Sequence, residues 1–108
     1  MHTALVALSA FRRQVKNLLS AEEQFKLERY LAVHPQAGAV IPGTGGLRKA
    51  RWGRTGLGKR SGVRVIYYYY VLQNTVYLMA VYAKSQQVDL TPEQKKELRR
   101  ILGTIKGG

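Results

Sequence analysis

The chain has 108 residues, enough for one compact domain with one modest hydrophobic core. Hydrophobic residues make up 45% of the sequence, a share typical of a folded rather than a disordered protein. The absence of cysteine excludes disulfides and thiolate metal sites and is consistent with a reducing cytoplasm. No apolar run approaches the ~20 residues that a membrane-spanning helix needs. The sequence therefore predicts a single domain over residues 1–108, in the cytoplasm and not in a membrane.

Charge is the strongest global feature of the sequence. Eighteen Lys and Arg residues against six Asp and Glu residues give a formal net charge of +12. Between Glu28 and Asp89 there is no acidic residue, whereas nine basic residues lie there: Arg29, Arg48, Lys49, Arg51, Arg54, Lys59, Arg60, Arg64 and Lys84. A field of this sign attracts polyanions, which indicates nucleic acid first and an anionic membrane surface second. The alternative is a charged surface that serves solubility alone.

The first third of the chain predicts a strand and two helices. Thr3–Leu8 is β-capable, and we interpret it as a first strand rather than a signal peptide, because it lacks a basic leader and its apolar run is short. Ser9 is expected to cap a helix whose apolar side chains recur at helical spacing. Ser20 and Glu23 form a capping box for a second helix, which Pro35 ends. Two helices so closely connected predict an antiparallel helical hairpin.

The rest of the chain predicts three antiparallel strands and a final helix. After a glycine-rich loop, strands are expected at Leu47–Trp52, Val63–Leu72 and Thr75–Lys84. Thr91 and Gln94 form a second capping box, which begins a C-terminal helix. We therefore expect an α+β fold, in which a short N-terminal strand and a three-strand meander form a small antiparallel sheet. The helical hairpin and the C-terminal helix are expected to gather on one face of that sheet.

Three segments of the sequence carry a family resemblance. They are Ile41–Lys49 (IPGTGGLRK), Ser61–Tyr68 (SGVRVIYY), and Tyr82–Lys84 followed by Asp89–Thr91. These segments resemble the RelE/ParE toxin superfamily, and the proline-glycine loop in the first of them resembles the HigB branch of RelE-like toxins. The resemblance extends from about Ile41 to Leu102.

The resemblance implies a function and a set of partners. Nuclease members of this superfamily are ribosome-dependent endoribonucleases that cut mRNA in the decoding site, and a protein antitoxin from the same operon restrains them. The expected partners are therefore mRNA on the ribosome, with contacts to ribosomal RNA, and a cognate antitoxin that carries a helix-turn-helix DNA-binding domain. ParE-type relatives share the fold but poison DNA gyrase, so the fold alone does not decide between these functions. The alternatives are a gyrase poison of that type and a non-catalytic RNA-binding module.

The residue types favour RNA cleavage without a metal ion. Two histidines and six scattered carboxylates offer no metal-binding pattern, so neither a metal nor another cofactor is expected. Gly53 and Gly58-Lys59 match most of a phosphate-binding loop, but Arg60 replaces its Ser or Thr, and a strand is expected to follow instead of a helix. In metal-free cleavage the ribose 2′-hydroxyl attacks the adjacent phosphate. Arginine stabilises the phosphorane charge, and a lysine whose pKa is lowered by like charges can act as the base.

The alternation of side chains along a strand predicts which candidates share a face of the sheet. Lys49 and Arg51 are expected on one face of their strand, with Arg48 and Trp52 on the other. Tyr68 is expected to lie on the same face as Arg64, and Tyr82 on the same face as Lys84.

The resemblance assigns roles to several of these positions. It places Arg64 at the arginine that acts on the scissile phosphate, Lys49 and Arg51 at basic strand positions, and Lys84 at or beside the basic end of the last strand. The candidate catalytic residues are Arg64, Lys84, Lys49, Arg51 and Tyr82. The residues expected to bind RNA phosphates or bases are Arg48, Arg54, Lys59, Arg60 and Tyr68.

The sequence departs from the RelE pattern at two positions. An arginine is expected at about Ser85, and Thr91 lies at about the position of the usual tyrosine near the final helix. Lys84 and Tyr82 are the candidates to take over those roles, and the identity of the general base stays open. Within the tyrosine run, we expect Tyr67 and Tyr69 to lie in the core, whereas Tyr68 is either core or available to stack on a base.

Overall fold

The structure is a computed structural model that describes residues 3–53 and 62–107. Its elements in chain order are β1 (Ala4–Ala7), α1 (Ser9–Val15), α2 (Ala21–Val33), β2 (Ala39–Val40), β3 (Arg48–Trp52), β4 (Val63–Tyr70), a short 3₁₀ helix (Val71–Gln73), β5 (Thr75–Ala83) and α3 (Pro92–Gly107). The strands form one five-stranded sheet in the order β1-β5-β4-β3-β2. The predicted α+β fold, with its meander of β3, β4 and β5, is confirmed.

The structure differs from the predicted elements in three local features. The edge strand β1 runs parallel to β5, because the hairpin of α1 and α2 carries the chain back across the sheet before it reaches β2. The predicted loop contains β2, which pairs with β3 through Ala39 and Val40. The residue that caps α1 is Leu8 rather than Ser9, and no side chain bonds to that helix end. The capping boxes Ser20–Glu23 and Thr91–Gln94 are both present.

Both faces of the sheet are buried beneath helices. The core on the hairpin face includes Phe11, Val15, Leu27, Leu31, Val63, Val65, Tyr67, Val76, Leu78 and Val81. The core on the opposite face, which α3 covers, includes Leu47, Ile66, Met79, Ala80, Tyr82, Leu90, Leu98 and Leu102. The expectation that all helices gather on one face is therefore wrong for α3. The reason is the apolar character of β4, whose residues Val63–Tyr67 are all buried, so that each of its faces needs a cover.

A bulge in β5 sets which of its side chains face α3. Ile66 pairs with Ala80, but the next residue of β4, Tyr67, pairs with Leu78, so Met79 is an extra residue in β5. Leu78, before the bulge, faces the hairpin, and Ala80, after it, faces α3. In a regular strand these two residues would face the same side, because they are two positions apart. An inserted residue of this kind re-aims the side chains that follow it. The bulge therefore reverses which side chains face α3 in the C-terminal half of β5.

The proline-glycine loop before β3 supports the end of α3. Thr44 is buried, and its hydroxyl donates to the Ile41 carbonyl at 2.6 Å while it accepts from the Leu47 amide at 3.2 Å. The Gly45 carbonyl accepts a hydrogen bond of 2.9 Å from the Nζ of Lys106 in the last turn of α3. Because Gly45 has a φ of 81°, a conformation that glycine adopts readily, the loop can turn its carbonyl toward the helix.

Tyr67 ties the segment after α2 to the sheet. It is fully buried, as predicted, and its hydroxyl accepts from the Gly38 amide at 2.8 Å and donates to the Pro35 carbonyl at 2.9 Å. Burial raises the pKa of this hydroxyl, so it stays protonated at neutral pH and keeps its donor. Tyr69 also packs against the hairpin core, and its hydroxyl donates to Asn74.

None of the helices within residues 3–53 and 62–107 combines the length and the apolar character that a membrane span requires.

We expect Tyr67→Phe to lower the free energy of unfolding by about 1–3 kcal/mol, because it leaves the buried Gly38 amide without an acceptor. The control is Tyr77→Phe, whose lost hydrogen bond to Gln73 is exposed and should cost no more than about 0.5 kcal/mol. Urea denaturation of both variants measures the difference. Equal destabilisation would show that the Tyr67 hydroxyl does not anchor this segment.

Candidate active site

Three side chains lie in a row across β3, β4 and β5 near one end of the sheet. The strand register pairs Arg51 with Arg64, and Arg64 with Tyr82. Directly opposed residues of antiparallel strands project from the same face with Cβ atoms about 4.5–5.5 Å apart. Tyr82 belongs to the core on the α3 face, so the row projects from that face. The structure thus brings together three of the five candidate catalytic residues.

Arg64 is a buried cation without a counter-ion in the part of the chain that the structure describes. Its relative exposure is 8%, and none of the ion pairs among the described residues includes it. Within residues 3–53 and 62–107, its guanidinium makes one hydrogen bond, a long one of 3.5 Å to the Val63 carbonyl. Arg51 lies directly opposite, and like charges in that position destabilise a sheet. Such an arrangement favours binding of an anion, which would satisfy both guanidinium groups.

A cleft of about 410 Å³ opens beside this row. Its lining residues are Arg51, Trp52, Gly53, Gly62, Arg64 and Lys84. The backbone amide of Lys84 donates to the Gly62 carbonyl at 3.1 Å, which extends the pairing of β4 and β5 beyond the last residue of β5. This bond holds the start of the exposed Lys84 side chain at the cleft. The three basic side chains make the charge of the cleft complementary to that of a phosphate group, and the two glycines leave it accessible to that group.

Asp89 is the residue at this site that sequence reasoning missed. Its Oδ1 lies 3.5 Å from the Nζ of Lys49, and both side chains are partly exposed. The hydrogen bond from the Leu90 amide, followed by the charges of Lys49 and Lys95, holds the pKa of the Asp89 carboxyl below its usual value. The carboxylate is therefore ionised at neutral pH. The available signal was its position in the Asp89–Thr91 segment, at the end of the acid-free stretch of the sequence.

Tyr82 lies between the positive and the negative groups of the site. It is 8% exposed, and its hydroxyl has no hydrogen-bond partner among the described residues. Burial raises the pKa of this hydroxyl, the charge of Asp89 raises it further, and the charge of Arg64 acts in the opposite direction. The Tyr82 hydroxyl is therefore protonated at neutral pH and has a proton to donate.

Two residues expected to bind RNA do not join this group. Arg48 projects toward the hairpin face, where its guanidinium donates to the carbonyls of Gly38 at 2.7 Å and Gln36 at 3.3 Å. Tyr68 lies on the α3 face as predicted, but it packs against that core, with the Nζ of Lys106 5.6 Å from its ring centroid. The sequence did not indicate the contacts of Arg48, whereas core packing was one of the two alternatives left open for Tyr68.

The remaining predicted positions are of two kinds. Arg54, Lys59 and Arg60, together with the near-match to a phosphate-binding loop, lie outside the described residues. Thr91, at the position of the family tyrosine, caps α3: its hydroxyl accepts from the Gln94 amide and its own amide donates to the Gln94 side chain. Within residues 3–53 and 62–107, no three His, Asp or Glu side chains are close enough together to hold a metal ion.

Comparison with solved structures identifies a similar fold. The chain superposes on the E. coli toxin RelE, a double arginine-to-alanine mutant in the free state, with a TM-score of 0.53 and 17% sequence identity. The match covers 82% of this chain and 90% of that one. No protein-family model matches the sequence. The chain therefore has a RelE-like toxin fold, as the resemblance of its motifs implied.

We expect Arg64→Met to raise the free energy of unfolding by about 1–2 kcal/mol, because it replaces a buried charge that has no counter-ion among residues 3–53 and 62–107 with an apolar side chain of similar length. Inorganic phosphate should raise the melting temperature of the wild type, since an anion that binds the native cleft stabilises it, and should have little effect on the variant. Arg13→Met, on the exposed side of α1, is the control, for which we expect a change within about 0.5 kcal/mol. A strong loss of stability in Arg64→Met would contradict the assignment of Arg64 as an unpaired, anion-binding group.

Proposed function

We propose that this protein is the toxin of a toxin–antitoxin module, a RelE-like toxin of the HigB branch that acts in the cytoplasm. Its activity is the cleavage of mRNA on the ribosome without a metal ion, which inhibits translation and arrests growth. The observation that carries the proposal is the row of Arg51, Arg64 and Tyr82, in which a buried arginine has no counter-ion among the described residues. A protein that only binds RNA has no need to bury an unpaired charge. Exposed Lys and Arg side chains bind phosphates at a lower cost in desolvation.

In this mechanism Arg64 and Arg51 bind the phosphate to be cut. Their guanidinium groups donate to its non-bridging oxygens and stabilise the extra negative charge of the phosphorane. Lys84, at the mouth of the same cleft, adds a third positive charge. Because these groups are held on paired strands, they are oriented before the substrate binds and need little rearrangement in the transition state.

Proton transfer is assigned to Asp89, Lys49 and Tyr82. The 2′-oxygen attacks the phosphorus, and its proton passes to Asp89, the carboxylate at the site that is ionised at neutral pH. The bond from phosphorus to the 5′-oxygen breaks, and the leaving oxygen takes a proton from Tyr82 or Lys49. The products are a 2′,3′-cyclic phosphate and a 5′-hydroxyl. Asp89 replaces lysine as our candidate for the base, because the Lys49 ammonium lies 3.5 Å from it and helps to hold the pKa of the Asp89 carboxyl below its usual value.

The other basic residues are proposed to bind the RNA on either side of the cut. Arg54, Lys59 and Arg60 lie outside the described residues, and their positive charges favour contacts with phosphates or ribosomal RNA. Arg48 and Tyr68 take indirect roles in this proposal, through the contacts that position β3 and α3.

The proposed partner that restrains the toxin is a small antitoxin with a helix-turn-helix DNA-binding domain. The net charge of +12 favours an acidic partner surface, and complementary charge accelerates association at low salt.

We expect induction of the wild-type protein to stop growth and to produce cuts within translated frames of cellular mRNA, mapped by primer extension. Arg64→Ala should abolish both effects at equal expression, because loss of one preorganised donor to a developing anion lowers a rate by about 10²–10³. Arg13→Ala, on α1, should retain both. Intact mRNA together with DNA damage would contradict the nuclease and favour a gyrase poison. Growth arrest by Arg64→Ala would exclude Arg64 as a catalytic residue.

For Asp89→Asn we expect opposite effects on binding and on rate. Loss of the carboxylate frees Lys49, so the affinity for RNA should rise, whereas the single-turnover cleavage rate should fall about 10²-fold because the proton acceptor is gone. Since the pKa of Asp89 lies below its usual value, the wild-type rate should not decline as the pH falls from 8 to about 5. Tighter binding with an unchanged or faster rate would show that Asp89 only screens Lys49.

A further inference from the structure

An aromatic cluster lies at the outer edge of the sheet, on the hairpin face. The ring of Tyr30 on α2 has its centroid 5.6 Å from that of Trp52 on β3 and 5.1 Å from that of His34. Tyr30 is 41% exposed, and His34 is exposed as well. Trp52 packs against the hairpin core, whereas Tyr30 lies outside that core and is accessible from solvent.

This cluster is continuous with the candidate active site. Trp52 lines the cleft that contains Arg64. Tyr30 lines a second cleft of about 330 Å³, together with Lys49 and Arg51. Arg51 lines both clefts, so a chain bound at Arg64 reaches the cluster without leaving the basic surface.

Among the described strands, none covers the outer edge of β3 along this route. The pairing of β2 with β3 stops at Lys49, and β3 continues to Trp52 without an outer neighbour among the described strands. A polymer can therefore pass from the α3 face, where Arg64 lies, around this edge to the hairpin face.

The rings of the cluster are tilted against one another rather than stacked face to face. The planes of Tyr30 and Trp52 are tilted by 47°, and those of Tyr30 and His34 by 48°, so the rings do not stack flat on one another. Two acids on α2 engage their own helix: Glu22 pairs with Lys26, and Glu28 accepts from Gln24. Exposed aromatic faces along a cationic groove are the combination with which proteins bind single-stranded nucleic acid.

We propose that Tyr30 and Trp52 form a base-stacking subsite for an unpaired nucleotide of the mRNA strand that flanks the cleaved phosphate. The proposal rests on the proposed function, since it takes Arg64 as the group that holds that phosphate. In it, Arg51 and Lys49 follow the backbone around the edge of β3, and the tyrosine and tryptophan rings bind the base. Stacking depends on the π-face that every base has, so the subsite adds affinity with little selectivity among bases.

The single tryptophan of the chain reports directly on this subsite. We would titrate the protein with a short 2′-O-methyl oligoribonucleotide, which binds like RNA but lacks the nucleophile for cleavage. A base stacked on Trp52 should quench its fluorescence. An abasic oligonucleotide of the same length and charge should bind through its phosphates without this quenching. Equal quenching by both would overturn the proposal.

Substitutions on α2 supply the matched comparison. Tyr30→Leu should weaken binding of the oligonucleotide about 5- to 150-fold, the range expected for loss of one base–aromatic stack. Phe25→Leu removes an aromatic ring that is 64% exposed on the same helix but lines neither cleft, and it should leave the affinity unchanged. Trp52→Phe keeps a ring at the second position and should retain most of the affinity. Equal losses in Tyr30→Leu and Phe25→Leu would contradict the subsite.

Cleavage on programmed ribosomes separates the possible sources of the base. The effect of Tyr30→Leu should disappear on mRNA that is abasic at the stacked position, because the two changes remove the same contact. If the effect persists on every such mRNA, the base belongs to ribosomal RNA and the proposal is wrong. If Tyr30→Leu leaves RNA binding intact and instead weakens the antitoxin complex, the surface binds protein and the proposal is equally wrong. A wild type that cuts mRNA without quenching of Trp52 refutes the subsite alone, whereas a wild type that neither binds nor cuts RNA refutes the proposed function with it.

Discussion

The register in which β4 pairs with β3 and β5 is the constraint on which the candidate site depends. Side chains alternate between two buried faces, so a shift of one residue in either pairing would move Arg64 away from its neighbours or turn it into the hairpin core. Apolar burial beneath two separate helical layers opposes such a shift, because every apolar residue of β4 would change sides with the arginine. The core therefore holds a cation in a position that its own electrostatics do not favour.

The bulge at Met79 is the second requirement of this arrangement. Leu78 and Tyr82 have the same parity along β5, so an unbroken strand would direct both side chains to the hairpin face. The extra residue reverses the parity, and Tyr82 consequently lies opposite Arg64 while Leu78 stays in the hairpin core. One inserted residue thus sets both the packing of the hairpin layer and the position of Tyr82 in the candidate site on the other face.

The two motif loops support the same face of the sheet in different ways. The proline-glycine loop holds the C-terminal end of α3 through the Gly45 carbonyl, and the Asp89–Thr91 segment begins α3 through the bonds between Thr91 and Gln94. The helix between them covers the apolar part of the face and leaves the end with Arg51, Arg64 and Lys84 open as a cleft. Both loops therefore have a structural role, which is to hold the two ends of α3. On the other side of the sheet, Tyr67 and Arg48 hold the segment that follows α2, which keeps Tyr30 close to the edge of β3.

The sequence alone determined the elements and their local chemistry. Contacts between residues that are close in the sequence determine three of these features: the capping boxes, the tyrosine-rich strand and the grouping of Lys49 with Arg51. Burial of Tyr67 followed from the same alternation.

The tertiary structure decided the features that depend on pairing between distant residues. These are the parallel contact of β1, the cover of the second face by α3, the bulge, the Lys49–Asp89 pair and the use of Arg48 as a structural donor. A period-two pattern states which residues share a face but not which face that is, and it cannot show where an extra residue reverses the count. Only the packing of both helical layers against the sheet resolves that ambiguity, because the face of each strand is set by the apolar area that its neighbours bury.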